Sequence, residues 1–185
     1  VARKSGHFRL ESGYHADAWL ELDQLYRRPT ELRPFGTELG RKISAHRIDA
    51  VCGPLTGGAF LAQMIAAELA LEFFFTERIV TARVGLYPVD YRVAPALRGA
   101  IRGKRLAIVD DAISAGSAVR ATVADVEACG AVLVVLGALM IFGPRGRDYA
   151  AEKKIPLEWL VDLPNPTWAP TECPMCALGV PLTEP

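Results

Sequence analysis

Two adjacent carboxylates, Asp110 and Asp111, close a short apolar run, Leu106-Ala107-Ile108-Val109, and a stretch of small residues follows: Ala112, Ile113, Ser114, Ala115, Gly116, Ser117 and Ala118. Carboxylates accept hydrogen bonds from vicinal hydroxyls and repel phosphate. A Gly- and Ser-bearing loop that opens a helix does the opposite, offering backbone N–H groups and a partial positive charge to an anion. Acids for a diol and amides for a phosphate suit a phosphorylated sugar. The length and β-branched content of the apolar run predict a buried strand. Beyond the loop Val119, Val123 and Val126 recur at the spacing of one helical face. In an open α/β sheet such a loop lies outside the carboxyl end of its strand, where ligands bind. Successive strand side chains alternate in direction, so both acids reach one sugar only where the strand is already turning.

A second unit of the same kind precedes it. Asp49-Ala50-Val51-Cys52 reads as a strand, Gly53-Pro54-Leu55-Thr56-Gly57-Gly58 as its loop, and Leu61, Ile65 and Leu69 as one face of the next helix. Leu55, Thr56, Gly57 and Gly58 could present amides to a second phosphate, although the lysine and spacing of a P-loop are absent. Residues 71–77 (LEFFFTE) form a third strand ending beside Arg78, a cation for phosphate charge or a surface ion pair with Glu72 or Glu77. Residues 30–48 predict a helix with Pro34 in its first turn, residues 131–141 another buried strand, and residues 157–161 a last strand before a Pro-rich tail.

The stretch VDDAISAGSA (109–118) resembles the phosphoribosyl-pyrophosphate (PRPP) motif of type I phosphoribosyltransferases. A flavodoxin-like response regulator also carries acids at a strand end, but needs a Lys at the end of a later strand, and none lies between Lys104 and Lys153. The order GHF-x-L-x-SG-x-H-x-D-x-W over residues 6–19 resembles the N-terminal hairpin of orotate phosphoribosyltransferases, and ECPMCALGVPL (172–182) is similar to the ECPxCxxGxPL tail of one subgroup. With the matches in the right order, the resemblance covers nearly the whole chain.

It implies an α/β fold, a mostly parallel central sheet flanked by helices, in one phosphoribosyltransferase domain over residues 1–185. A small hood would come from about 5–25 and 162–185. It also implies transfer of phosphoribose from PRPP to a nucleobase with Mg²⁺, most simply orotate in pyrimidine biosynthesis, in a homodimer with shared sites. The 5-phosphate would rest on residues 114–117, the ribose hydroxyls on Asp110 and Asp111, and the pyrophosphate on residues 55–58 and Arg78. Trp19, Ser114 and Arg145 would face the base.

Three departures bear on the base. Glu11 stands where the family commonly has Lys or a small polar residue, and would repel an anion. Segment 79–98, the counterpart of a loop carrying Lys and His, has Arg83, Arg92 and Arg98 but neither of those. Arginine neutralises charge but does not give up a proton as Lys or His does. Ile141-Phe142 replaces the Asp-Arg pair that grips the orotate carboxylate, so either Arg145 or Arg147 shifts into that role or the base has no carboxylate. A transferase for another base and a non-catalytic PRPP-binding regulator both stay open.

Composition sets the outer bounds. A chain of 185 residues with 51% hydrophobic content supports a real core. No apolar run approaches a membrane span, and no signal peptide is expected at the start. Lys plus Arg and Asp plus Glu number 21 each, which argues against a nucleic-acid surface. The four cysteines do not form a secreted disulfide framework, so a cytoplasmic location is expected. Cys173 and Cys176 are spaced as half a zinc site. Cys52 and Cys129 lie on separate elements and His is scarce, so no complete ligand set, and no metal-binding residue, is expected.

Overall fold

β-branched and aromatic runs become strands here, and apolar residues recurring every three or four positions become helices. The structure is a computed structural model describing residues 2–184. In chain order it has β1 (Arg3–Arg9), β2 (His15–Leu20), a 3-10 turn (Leu22–Arg27), α1 (Pro29–Ser44), β3 (Ala50–Pro54), α2 (Gly57–Leu69), β4 (Glu72–Ile79) and β5 (Asp90–Val93). β6 (Arg105–Ile113), α3 (Ser117–Ala128), β7 (Val132–Phe142), α4 (Arg145–Lys153), β8 (Leu157–Leu163), β9 (Thr167–Trp168) and α5 (Pro174–Ala177) complete it.

Six strands form the main sheet in the order β5-β4-β3-β6-β7-β8. All neighbours are parallel except the edge strand β5, which runs antiparallel to β4. The chain passes from β3 through α2 to β4 on one side, and from β6 through α3 and α4 to β7 and β8 on the other. The winding therefore reverses between β3 and β6, and the crevice that opens at such a reversal lies above their carboxyl ends.

Strand alternation divides the core. Val51, Ala107 and Val109 pack with Leu39, Ile43, Leu61 and Ile65 of α1 and α2. Leu106 and Ile108 face the other way, against Val119, Val123 and Val126 of α3 and Tyr149 of α4. The strand expected to turn at its acids does not: β6 continues through Ile113 and pairs with β7 as far as Ile141.

A second, three-stranded antiparallel sheet, β1-β2-β9, stands beside the first. Its hairpin turns at Ser12-Gly13, as the sequence predicts. The β1–β2 register slips between Ser5 and Phe8, an irregularity of the kind that re-aims side chains, and His7 and Phe8 are buried in succession. No helix among the described residues is long and apolar enough to cross a membrane.

Candidate active site

A cleft of about 400 Å³ occupies the crevice between β3 and β6. Asp110 and Asp111 both line it, together with Leu55, Thr56 and Gly57 from the β3–α2 turn. That turn lies tightly on the acids. A methyl group added at Gly57 would stand 2.1 Å from Asp111 Oδ2, and one at Gly58 would stand 2.7 Å from Asp110 Oδ1. Side-chain-free residues are what let the start of α2 approach the carboxylates. The Tyr26 hydroxyl donates to Asp111 Oδ2 at 3.3 Å, and the Asp111 N–H donates to Asp110 Oδ1 at 3.1 Å.

The acids are poised by burial. Desolvation, then the neighbouring Asp111 charge, push the Asp110 carboxyl well above the usual carboxylate range. Asp111 is also raised by burial, against which the Ala112 N–H and the Tyr26 hydroxyl favour its charged form. Burial and the two carboxylates push the Tyr26 phenol upward, so it stays an O–H donor. A ligand bringing hydroxyl donors would relieve the pair.

Beyond β6 the chain crosses to α3 in three residues, 114–116, with Gly116 left-handed at φ 74° as the residue before the helix. Ser114, Ala115, Gly116, Ser117 and Ala118 line the cleft. The Ser114 and Ser117 hydroxyls are buried and, among the described residues, have no hydrogen-bond partner. Two orphaned donors beside the free N–H groups of a helix start form an anion cradle. Arg120, one turn into α3, braces it: Nε donates to the Ala115 carbonyl at 3.0 Å, and the guanidinium lies 4.1 Å from the Tyr149 ring centre. Ile113 belongs to the core instead, 2% exposed.

The hood closes the other side through Glu11, Ser12, Ala18 and Trp19. Arg78 pairs with Glu11, not with Glu72 or Glu77; its Nε lies 3.0 Å from Glu11 Oε1, which also accepts from the Tyr91 hydroxyl at 2.9 Å. Glu11 thus reaches the cleft with its charge compensated. Phe142 lines the cleft as well.

The phosphoribosyl transferase domain family matches residues 23–166. An orotate phosphoribosyltransferase of Caldanaerobacter subterraneus is 30% identical over 97% of this chain and 88% of its own length. Membership follows from that match. The chain belongs to the orotate phosphoribosyltransferase family. A Thermus thermophilus orotate phosphoribosyltransferase is 31% identical over 97% of this chain and 91% of its own. The crystal structure of the Aeropyrum pernix orotate phosphoribosyltransferase shares the fold, with a TM-score of 0.67, 21% identity and 88% of each chain covered.

Against that family's pattern, some expected residues stand elsewhere. Arg145, expected at the base, is not a lining residue. Its guanidinium stacks 4.0 Å from the Tyr14 ring centre, and its Nε donates to Thr167 Oγ1 at 3.2 Å. It ties α4 to the hood instead. Arg147 pairs with Asp162, Arg83 with Asp90, and Arg98 with Asp125 at 2.8 Å. Segment 80–89 rests on the hairpin turn: Tyr87 N–H donates to the Ser12 carbonyl at 2.8 Å, and a methyl group at Gly13 would lie 2.3 Å from the Gly85 oxygen. Tyr26, Tyr91 and Arg120 escape the sequence reading because no motif names them; only the helical offset of Arg120 from Gly116 hints at its role.

The expectation that Cys173 and Cys176 lack metal-ligating partners is corrected. His7 and His15 complete a group with them, all four ligand atoms within 4.8 Å of one another. The partners come from the hairpin, more than 150 residues away, as the 161-residue separation of Cys176 and His15 illustrates.

Proposed function

We propose that this chain transfers phosphoribose from PRPP to orotate, forming orotidine 5'-phosphate and pyrophosphate in pyrimidine biosynthesis. The observation that carries the reading is the pairing of two adjacent acids, buried Asp110 and half-buried Asp111, with the unpartnered Ser114 and Ser117 hydroxyls across one cleft. The acids accept from the ribose diol, and residues 114–118 hold the 5-phosphate. Thr56, Gly57 and Gly58 offer amides to the pyrophosphate, the Leu55 N–H being held by the Thr76 carbonyl at 2.8 Å. Arg78, which pairs through Nε with the cleft residue Glu11, offers its remaining N–H donors. Trp19 and Phe142 offer apolar faces to the base. Neither Arg145 nor Arg147 lines the cleft to grip a carboxylate, so the choice of orotate over another base rests on the kinship with orotate phosphoribosyltransferases. Compensation of Glu11 by Arg78 and Tyr91 removes the repulsion it would otherwise exert on an anionic base.

Mg²⁺ fits the oxygen donors of this cleft. Asp110 and Asp111 would stand nearest to it, and the ion would supply neutralisation of leaving-group charge. The base nitrogen bonds to the anomeric carbon as the bond to the pyrophosphate oxygen breaks. The protein's share is alignment and charge stabilisation. A single domain with its hood drawn from both ends of the chain, working as a cytoplasmic homodimer, accords with the family pattern.

The test is release of pyrophosphate from PRPP and Mg²⁺ with orotate, uracil, adenine or hypoxanthine. Orotate-dependent release is the expected result. Release with another base alone reassigns the substrate, and PRPP binding without release from any base makes the chain a non-catalytic binder.

A further inference from the structure

His7 and His15 lie on the two strands of the hairpin, and Cys173 and Cys176 flank the start of α5 near the other end of the chain. His7 is 2% exposed, His15 5% and Cys173 2%, whereas Cys176 opens to solvent. His7 Nε2 is 2.9 Å from His15 Nδ1 and 3.4 Å from Cys173 Sγ. Cys176 Sγ is 3.3 Å from His15 Nδ1 and 3.6 Å from His7 Nε2. Zinc bound at about 2.0–2.3 Å by nitrogen and sulfur sets its tetrahedral ligands about 3.3–3.8 Å apart. Three of these four separations already match, and the nitrogen pair must open by a few tenths of an ångström. Cys173 Sγ stands within 4.8 Å of both His15 Nδ1 and Cys176 Sγ, to be drawn in by a side-chain rotation.

Two further features support this arrangement. His7 Nδ1 lies 2.8 Å from the Val180 carbonyl, which can only accept, so Nδ1 carries the proton and Nε2 directs its lone pair at the group. A carbonyl behind a histidine is the usual orienting partner of a metal-bound imidazole. Apart from the Thr183 N–H on the His7 carbonyl at 2.6 Å and the His7 N–H on Thr183 Oγ1 at 3.4 Å, the tail beyond α5 has little else to hold it. α5 is four residues long, and Leu178, Val180 and Leu182 beyond it are exposed. One helical turn does not sustain itself in water. Yet the backbone winds tightly round the pair, with Ala177 N–H on the Cys173 carbonyl, Gly179 N–H on that of Cys176 and Val180 N–H on that of Met175.

We propose that His7, His15, Cys173 and Cys176 bind one structural zinc ion that fastens the C-terminal tail to the hairpin of the hood. Four protein ligands close the coordination sphere, so the ion orders the chain and takes no part in the reaction. Two soft sulfurs with two imidazoles in a tetrahedral array select zinc over the hard ions suited to the cleft. The same hairpin carries Ser12 and Trp19 to the cleft wall, so the site sets the position of that wall. The assignment is independent of which base is used.

The test begins with the full chain, reduced, supplied with Zn²⁺ and freed of excess ion. We expect about one zinc per chain, falling to less than about a tenth in Cys173→Ser/Cys176→Ser. His46→Gln alters the remaining histidine, which bonds Glu158 on the main sheet, and should keep its zinc. Co²⁺ in place of zinc should give thiolate-to-metal charge transfer and the strong visible bands of a tetrahedral ion. Because Cys176 is exposed, Cys176→Ser alone should fold, as far-ultraviolet circular dichroism would show, and still lose the cobalt spectrum. Failure of the reduced wild type to take up zinc overturns the proposal. So does zinc retained by the double variant, or a cobalt spectrum without thiolate charge transfer. Pyrophosphate release is read separately, so loss of the metal assignment leaves the transferase reading standing.

Discussion

Asp110 is a carboxylate 9% exposed, set against a second carboxylate, and its proton is held more tightly than in water. The stability consequence has a definite sign. Above the ordinary value of 3.8 the unfolded chain ionises Asp110 while the folded chain still holds the proton, so stability falls as pH rises through that window. The penalty is complete above the raised value. Asp110→Asn removes it while leaving an oxygen to accept the Asp111 N–H. We predict that this variant melts higher than wild type at neutral pH, by about 2–4 °C for each kcal/mol relieved, and that the difference shrinks toward pH 4. The same change should lower kcat/KM for PRPP by about ten- to a hundred-fold, the worth of a charge-assisted hydrogen bond. Thermal scans across pH beside steady-state kinetics test both parts. A melting difference that stays constant with pH would sink the first.

At the scale of elements, the site depends on how close the start of α2 comes to the ends of β3 and β6. Two glycines on that path respond differently. A methyl group at Gly53 would stand 2.1 Å from the Gly58 carbonyl oxygen, which is backbone and cannot swing aside. At Gly57 it would meet the end of the Asp111 side chain, which can. Gly53→Ala should therefore cost about 1–3 kcal/mol of stability, read as a lowered denaturant midpoint. Gly57→Ala should leave that midpoint within about 0.5 kcal/mol of wild type yet weaken PRPP binding, because Asp111 leaves its place beside Tyr26. Equal stability losses in the two would contradict this picture. These strand–loop–helix units were legible in the sequence because their information is local: β-branched runs, glycines, then a helical period. Local pattern showed the hood only as a hairpin, and its C-terminal share came from the resemblance of the tail. That Glu11 meets Arg78, that Arg145 turns to Tyr14, or that His7 meets Cys173 depends on contacts between distant segments, and no local pattern encodes them. The strand running past its acids was misjudged for the same reason, since β7 alongside keeps it extended.

Across the whole molecule, the two sheets are unequally anchored. β3 and β6 have strands on both sides and helices over both faces, and Val51, Cys52, Leu106 and Ile108 are fully buried. The hood sheet has three strands, and β9 pairs with β2 through just His15↔Trp168 and Ala16↔Thr167. Its ties to the main body lie at its rim: the Arg145 side chain on Tyr14, the Arg78 side chain on Glu11, and the Tyr87 N–H on the Ser12 carbonyl of the hairpin turn. An opening that breaks only those ties exposes little apolar surface, so it should occur well below the free energy of global unfolding. Native-state hydrogen exchange measures that difference. The amides of Ala16 and Ala18 in β2 should exchange at least about ten-fold faster than those of Val51 and Ile108, a gap of about 1.4 kcal/mol or more in opening free energy. Adding PRPP with a base should slow the β2 amides selectively, because a filled cleft bridges hood and sheet through Trp19 on one side and Asp110 on the other. Equal exchange in both sheets, unchanged by ligand, would mean that hood and main sheet open as one unit and that the base enters without moving the wall formed by the hairpin.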